Sequence, residues 1–189
     1  MFEPHEDSGR TLGPTSEKAY RAHRWVYVKA ALVGLGISAV VATIVHPPGP
    51  HLLWNASASA PIGLYLITPG APLEVGDMVA ARAPEGARQL AAMRGYLPSG
   101  VTLVKRVAAA QGSQVCASQA RILVDGRVAA RREKHDSEGR PMPWWKGCRR
   151  LQSGEVLLLN RVKASFDSRY FGPVERSAII GKAVLLWPR

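Results

Sequence analysis

Arg121-Ile122-Leu123-Val124-Asp125-Gly126-Arg127-Val128-Ala129 joins two short apolar runs through an Asp-Gly pair. Asp-Gly between alternating apolar residues is a strong hairpin signal, because a tight hairpin turn needs residues that tolerate positive φ. The same pattern extends in both directions. Upstream, Leu64-Tyr65-Leu66-Ile67 ends at Thr68-Pro69-Gly70, Met78-Val79-Ala80-Ala81 follows Gly76-Asp77, and Val101-Thr102-Leu103-Val104-Lys105-Arg106-Val107 follows Pro98-Ser99-Gly100. Downstream, Val156-Leu157-Leu158-Leu159 follows Ser153-Gly154, and an apolar run from Ala178 to Trp187 closes the chain. Short strands punctuated by turn residues predict a mainly β domain of roughly 140 residues. Ala87 to Gly95 reads as a short helix. Residues 130–146 are charged, turn-rich and unpatterned, which predicts a flexible loop.

The bulk numbers agree with a folded domain plus an appended segment. The chain has 189 residues, 47% hydrophobic and 21% charged, so a packed core is available and wholesale disorder is excluded. The net charge of +11 invites a nucleic-acid reading. The basic residues are scattered, however, and dense only at Arg131-Arg132-Glu133-Lys134 and Arg149-Arg150. With no zinc-finger spacing and no RNA-recognition aromatic pattern, no nucleic acid is expected as a partner. An anionic membrane surface or an acidic protein suits the charge as well. The two cysteines, Cys116 and Cys148, stand too far apart for a local redox pair or a zinc knuckle. They form one disulfide in an oxidising compartment or remain two thiols in the cytosol.

Residues 1–24 are polar and mixed in charge and read as a mobile tail. Residues 25–46 contain a single charged side chain, Lys29, near their start, and are long enough for one helix through a bilayer. Trp25 and Tyr27 suit the interface, and Lys29 can snorkel back to it. Arg10, Lys18, Arg21, Arg24 and Lys29 precede or begin the span, and the next Lys or Arg is Arg82. The positive-inside rule then places the tail in the cytoplasm and the rest of the chain outside. A cleaved signal peptide with Val40-Val41-Ala42 near its exit site is the rival reading. Residues 47–54, opening Pro47-Pro48-Gly49-Pro50, form a helix stop and a stiff linker to a domain over 55–189.

That domain opens on Asn55-Ala56-Ser57-Ala58-Ser59-Ala60-Pro61-Ile62-Gly63-Leu64-Tyr65. Two hydroxyls sit among small residues, followed by a proline that fixes the chain and a glycine that permits a conformation closed to other residues. Such a stretch can present a serine oxygen to an extended substrate; it can equally be a linker. A serine hydroxyl needs a base. None of the five histidines, His5, His23, His46, His51 and His135, lies in a strand-like run, which argues against a Ser-His-Asp triad. No His or acidic pair stands at metal-ligating spacing, so neither a metal nor any other cofactor is implied.

Lysine is the remaining base. A free lysine has a pKa near ~10.4, and only desolvation lowers it by about 3 to 5 units when fully buried. Lys105 is the lysine that interrupts a strand. Leu103, Lys105 and Val107 share one face of it, so a core-facing Lys105 must be neutral or paired. The opposite register buries Arg106 instead, and an edge strand leaves Lys105 in water. Lys163 and Lys182 lie near turns or glycine. Further on, Ser165-Phe166-Asp167-Ser168-Arg169-Tyr170-Phe171-Gly172 places an Asp and an Arg able to pair between aromatics.

Together, a membrane anchor, a serine box, a strand carrying Val104-Lys105-Arg106-Val107 and a late Asp167-Ser168-Arg169 box resemble the type I signal peptidase family, serine proteases with a Ser/Lys dyad. Ser59-Ala60-Pro61-Ile62-Gly63-Leu64-Tyr65 resembles its conjugative-transfer branch, the TraF type. Two departures separate the chain from general leader peptidases. Ala60 follows Ser59 where they carry Met, and the late box is introduced by Leu159-Asn160-Arg161 rather than by Gly-Asp-Asn-Arg.

The resemblance implies a signal-peptidase-like β domain tethered by one N-terminal transmembrane helix. It implies Ser59 as nucleophile, Lys105 as general base, Ser57 as an oxyanion-hole hydroxyl, Ser165 as the group orienting the lysine amine, and Asp167 with Arg169 as structural support. The implied substrate is an exported, pilin-like precursor with an apolar leader. The implied location is the bacterial inner membrane, with the catalytic domain in the periplasm and membrane lipid as the second partner. The stretch from Val45 to Ser59 spans at most about 50 Å fully extended, which keeps such a site near the outer leaflet. Leu52-Leu53-Trp54 could dip into it. A non-catalytic scaffold subunit of a secretion channel is the alternative from another class. A self-cleaving repressor, which shares the dyad, is disfavoured by the membrane span.

Overall fold

The structure is a computed structural model, and it describes residues 15–45, 51–98 and 100–189. Residues 1–14 of the expected tail and 47–50 of the expected linker lie outside the described residues. The chain divides into two units between Pro48 and Gly49.

The first unit contains one helix, α1 (Thr15–Val45), which already covers the last residues of the expected tail. Its segment Arg24–Thr43 is long and apolar enough to cross a membrane, and none of it is buried. Its length and composition suit a membrane anchor or a signal sequence equally.

The second unit is mainly β, as its alternating runs predict. The strands are β1 (Leu52–Asn55), β2 (Gly63–Thr68), β3 (Met78–Ala81), β4 (Leu103–Ala109), β5 (Gln114–Ser118), β6 (Arg121–Val124), β7 (Arg127–Arg131), β8 (Gly147–Arg150), β9 (Glu155–Leu159), β10 (Val174–Glu175) and β11 (Ile179–Pro188). A seven-stranded sheet runs β1-β2-β11-β3-β4-β9-β10, and a four-stranded sheet runs β7-β6-β5-β8. All the pairings are antiparallel. Two short helices intervene: α2 (Glu85–Met93), close to where the sequence places it, and α3 (Ser168–Phe171).

The Asp-Gly signal is realised between β6 and β7. Asp125 has φ 47° and Gly126 φ 78°, the two positive values that a type I′ turn needs. Gly63 has a different task. It has φ 153°, and a Cβ there would lie 2.1 Å from the Trp187 carbonyl oxygen, so a side chain would separate β2 from β11. Cys116 and Cys148 face each other across β5 and β8 and are joined in a disulfide, which ties the small sheet's outer strand to its centre.

Two expectations change. Leu52-Leu53-Trp54 is not spacer but the edge strand β1, paired in register with Leu64 to Leu66 of β2. The residues are too few to declare a strand on their own, and the partner supplies the hydrogen bonds. Residues 130–146 are not a loose loop. Arg131 still belongs to β7, His135 bridges to Pro141, and Arg132 is 2% exposed. Asp136 accepts from Tyr96 (2.5 Å) and from Arg140 Nε (2.7 Å), with Arg94 3.6 Å away. These partners hold the Asp136 carboxyl well below the usual carboxylate range. Asp136, Glu138 and Arg140 pair with one another, and Arg132 donates to the carbonyls of Gln119 and Trp145, which fixes the segment.

Candidate active site

The serine stretch becomes the loop of the β1–β2 hairpin, with Asn55 and Gly63 paired at its neck. Ser57 and Ser59 are half-buried in that loop and remain reachable. Lys105 comes from β4, three places away from β2 in the sheet order. At about 4.8 Å between strands a flat sheet would hold the two roughly 14 Å apart. Twist of the sheet and the reach of the loop close that distance: the Lys105 ammonium donates to Ser59 Oγ at 3.0 Å and to Ser165 Oγ at 2.9 Å.

The choice between Lys105 and Arg106 is resolved by packing. Lys105 is 2% exposed, while Arg106 faces solvent on the other side of β4. No carboxylate forms an ion pair with Lys105 among the described residues. Burial therefore pushes its pKa down to about 8, with Arg169 pushing the same way and Asp167 opposing. At pH 7 roughly one such lysine in ten is neutral, against about one in a few thousand for a free lysine. A neutral amine can accept the Ser59 proton while donating to Ser165.

The loop also brings a second hydroxyl and an amide hydrogen beside Ser59. Ser57 Oγ stands 3.0 Å from Ser59 Oγ, and the Ser59 backbone N–H donates to Ser57 Oγ at 3.3 Å. One hydroxyl and one amide hydrogen thus gather beside the candidate nucleophile, where a tetrahedral intermediate would place its negative oxygen.

Ser165, Asp167 and Arg169 lie together behind Lys105 and are essentially buried. Arg169 grips Asp167 through Nε (2.7 Å) and through its second terminal nitrogen (3.1 Å). Its remaining hydrogens go to the carbonyls of Arg131 (3.1 Å), Lys163 (2.9 Å) and Asn160 (2.5 Å). Asp167 caps α3 by accepting from the Arg169 N–H at 3.1 Å, and also accepts from the Asn160 N–H at 3.0 Å. A buried ion pair with its hydrogen bonds filled fixes geometry, and removing one partner typically costs about 3–5 kcal/mol. Lys163 contributes only a carbonyl, and Lys182 pairs with Asp77 at 2.9 Å, so neither competes with Lys105.

Sequence reasoning passed over Asn160. Its side-chain amide donates to the Val104 carbonyl (3.0 Å) and accepts from the Arg106 N–H (3.1 Å), gripping β4 on both sides of Lys105. The only available signal was a polar residue at the end of the apolar run Val156–Leu159.

Residues 24–187 match the model of the family described as signal peptidase, peptidase S26. The chain belongs to that family. Among its relatives, a plasmid transfer protein TraF from Escherichia coli is 36% identical over 172 residues, covering 84% of this chain and 96% of the relative. A conjugal transfer protein TraF from Agrobacterium fabrum is 33% identical over 169 residues, covering 82% and 94%. A solved signal peptidase I from Enterococcus faecalis overlaps 61% of this chain and 98% of its own length, at 16% identity and a TM-score of 0.35. The signal peptidase assignment and the serine, lysine and Asp-Ser-Arg boxes come from the same chain, and the boxes meet in space.

Proposed function

We propose that the chain is a membrane-anchored serine endopeptidase with a Ser59/Lys105 dyad that cleaves exported precursors near the membrane surface, maturing a pilin subunit for conjugation. The observation that carries this reading is a buried, ion-unpaired lysine amine 3.0 Å from a reachable serine hydroxyl. Neutral Lys105 takes the Ser59 proton as Oγ bonds to the scissile carbonyl carbon. The carbonyl oxygen gains the negative charge and is met by the Ser57 hydroxyl and the Ser59 N–H; losing one such donor typically costs about 3 kcal/mol. The Lys105 ammonium passes its proton to the leaving amine as the C–N bond breaks, leaving an acyl-Ser59 ester. Water, or a peptide amine, then attacks that ester, with Lys105 as base again.

Three features support the proposed location. Basic residues precede the apolar segment of α1 and are missing from the stretch just after it, which favours a cytoplasmic N-terminus and a periplasmic domain at the inner membrane. A disulfide between Cys116 and Cys148 fits an oxidising compartment. The outer face of β1-β2-β11 supports lipid contact. Leu52, Leu66 and Val184 stand in one row and Trp54, Leu64 and Trp187 in the next. Trp54 is 52% and Trp187 72% exposed. A contiguous apolar sheet face with two tryptophans, starting a few residues after a candidate anchor, suits the lipid interface.

The test is Ser59→Ala and, separately, Lys105→Ala in a precursor-processing assay followed by mass spectrometry of the product. Each is expected to abolish processing while the protein remains folded and in the membrane fraction. Normal processing by either variant removes the dyad and leaves a non-catalytic scaffold subunit as the better account.

A further inference from the structure

The amide of Asn55 sits inside the serine loop and is wrapped by the loop's own carbonyls. Its Nδ2 lies 3.0 Å from the Ser57 carbonyl oxygen, 3.2 Å from that of Ala60 and 2.9 Å from that of Pro61. Its Oδ1 accepts from the Ser57 N–H at 3.2 Å. Four contacts from one side chain span the loop on both sides of Ser59. Asn55 is 8% exposed, so these bonds are sheltered from water. The residue touches neither Lys105 nor Ser165, whose bonds come from β4 and from the turn before α3. Nor does it hydrogen-bond to either serine hydroxyl.

We infer that Asn55 is the positioning residue of the nucleophile loop, holding Ser59 Oγ toward Lys105 and the Ser57 hydroxyl and Ser59 N–H on one side. The inference rests on the Ser59/Lys105 reading. An asparagine side chain suits the task because it offers two donor hydrogens and an acceptor in one plane. Three carbonyls meet two hydrogens here, so at least one hydrogen is shared, and the one amide group ties together carbonyls from both sides of Ser59. An open seven-residue loop of small side chains has little else to define its shape: Ala60 is packed, but Ala56 and Ala58 are exposed. Backbone bonds from the Ala60 N–H to the Ser57 carbonyl (3.4 Å) and from the Arg189 N–H to the Ile62 carbonyl (3.0 Å) add to the frame, and one further side chain shares the Pro61 carbonyl. The Tyr65 hydroxyl donates to the Pro61 carbonyl at 2.8 Å, the same oxygen that Asn55 holds. Asn55 and Tyr65 are therefore coupled through Pro61.

The alignment has a kinetic signature. A loop that samples misaligned states lowers the rate of acylation more than it weakens binding of an extended substrate, which is held along its length. Asn55→Ala is expected to lower kcat about 10- to 100-fold with KM changed less than threefold. Ser59 Oγ is one of the two acceptors on the Lys105 ammonium, so a loosened loop moves the acid limb slightly to lower pH, by less than Ser165→Ala, which removes the other acceptor outright. Asn55→Asp keeps the acceptor for the Ser57 N–H but turns a carboxylate toward three carbonyls, and is expected to be worse than alanine. Tyr65→Phe is expected to lose less than tenfold, and the double variant Asn55→Ala/Tyr65→Phe less than the product of the two single losses.

The experiment is steady-state precursor cleavage by the full chain in detergent micelles, with wild type and Ser59→Ala run alongside. Thermal unfolding of each variant serves as the folding control. Should Asn55→Ala be unfolded, Tyr65→Phe alone carries the test, with the same split between kcat and KM. Wild-type kcat in a folded Asn55→Ala, a loss confined to KM, or an acid limb moved to higher pH would overturn the inference. If instead Ser59→Ala cleaves normally, the dyad reading has failed, and that result is distinct from a Ser59-dependent enzyme indifferent to Asn55.

Discussion

Acidifying the medium is expected to switch the enzyme off in a way that reports the burial of one amine. Lys105 carries a pKa pushed down to about 8 because its ammonium is 2% exposed and has no ion-pair partner among the described residues. In the proposed mechanism the active form is the neutral one, so kcat/KM should climb about tenfold from pH 6 to pH 7, reach half its maximum near pH 8 and level off above about pH 9. An ordinary lysine near ~10.4 would keep the profile rising through pH 10. The same shift has a stability side. Between the depressed folded value near 8 and the free value of 10.5, the unfolded chain binds the extra proton, so stability rises with pH across that window. Below it the cost of burying the charge is complete, on the order of 3 kcal/mol at about 1.4 kcal/mol per pKa unit. Lys105→Met removes that cost. The variant should therefore unfold at higher denaturant than wild type at pH 7, and the gap should shrink as the pH approaches 10.5. The measurements are kcat/KM against pH for a purified precursor, and urea midpoints of both proteins at pH 7 and pH 10. An acid limb centred near 10.5, or a midpoint gap that does not narrow with pH, would refute the argument that Lys105 is desolvated.

Two further outcomes follow from the same geometry. Ser165→Ala removes one of the two acceptors on the Lys105 ammonium, which disfavours the charged form. The acid limb should move to lower pH while the maximal rate falls about tenfold or more; a limb that moves upward in the same cleavage assay would contradict the hydrogen bond as drawn. In a Trp25→Phe background, reconstituted into vesicles of lipids brominated on their acyl chains, part of the tryptophan emission should be quenched. Replacing Trp54 and Trp187 with Phe should abolish that quenched part, and unchanged quenching would show that the β1-β2-β11 face stays in water.

Much of this molecule is legible locally. Asp125-Gly126 announces its hairpin because positive φ is a property of those residues. The apolar segment of α1 announces a span because length and polarity are properties of the segment. Two-residue alternation places Leu103, Lys105 and Val107 on one face. Asn55 and Asn160 stand in the quoted stretches, but their positioning contacts are not legible there, since a polar residue beside an apolar run is ordinary until its carbonyl partners are known.

The chain alone, then, determines the alternation that makes the domain β, the apolar helix before it, and the serine, lysine and Asp-Ser-Arg boxes. The tertiary structure decided that Lys105 rather than Arg106 points inward, that residues 52–54 pair as an edge strand, and that the charged stretch 130–146 folds onto Tyr96 and Arg169. Turn preference and periodicity act over a few residues. The hydrogen bonds from Lys105 to Ser59 and Ser165 join residues 46 and 60 positions apart, and only the pairing of whole strands sets those distances.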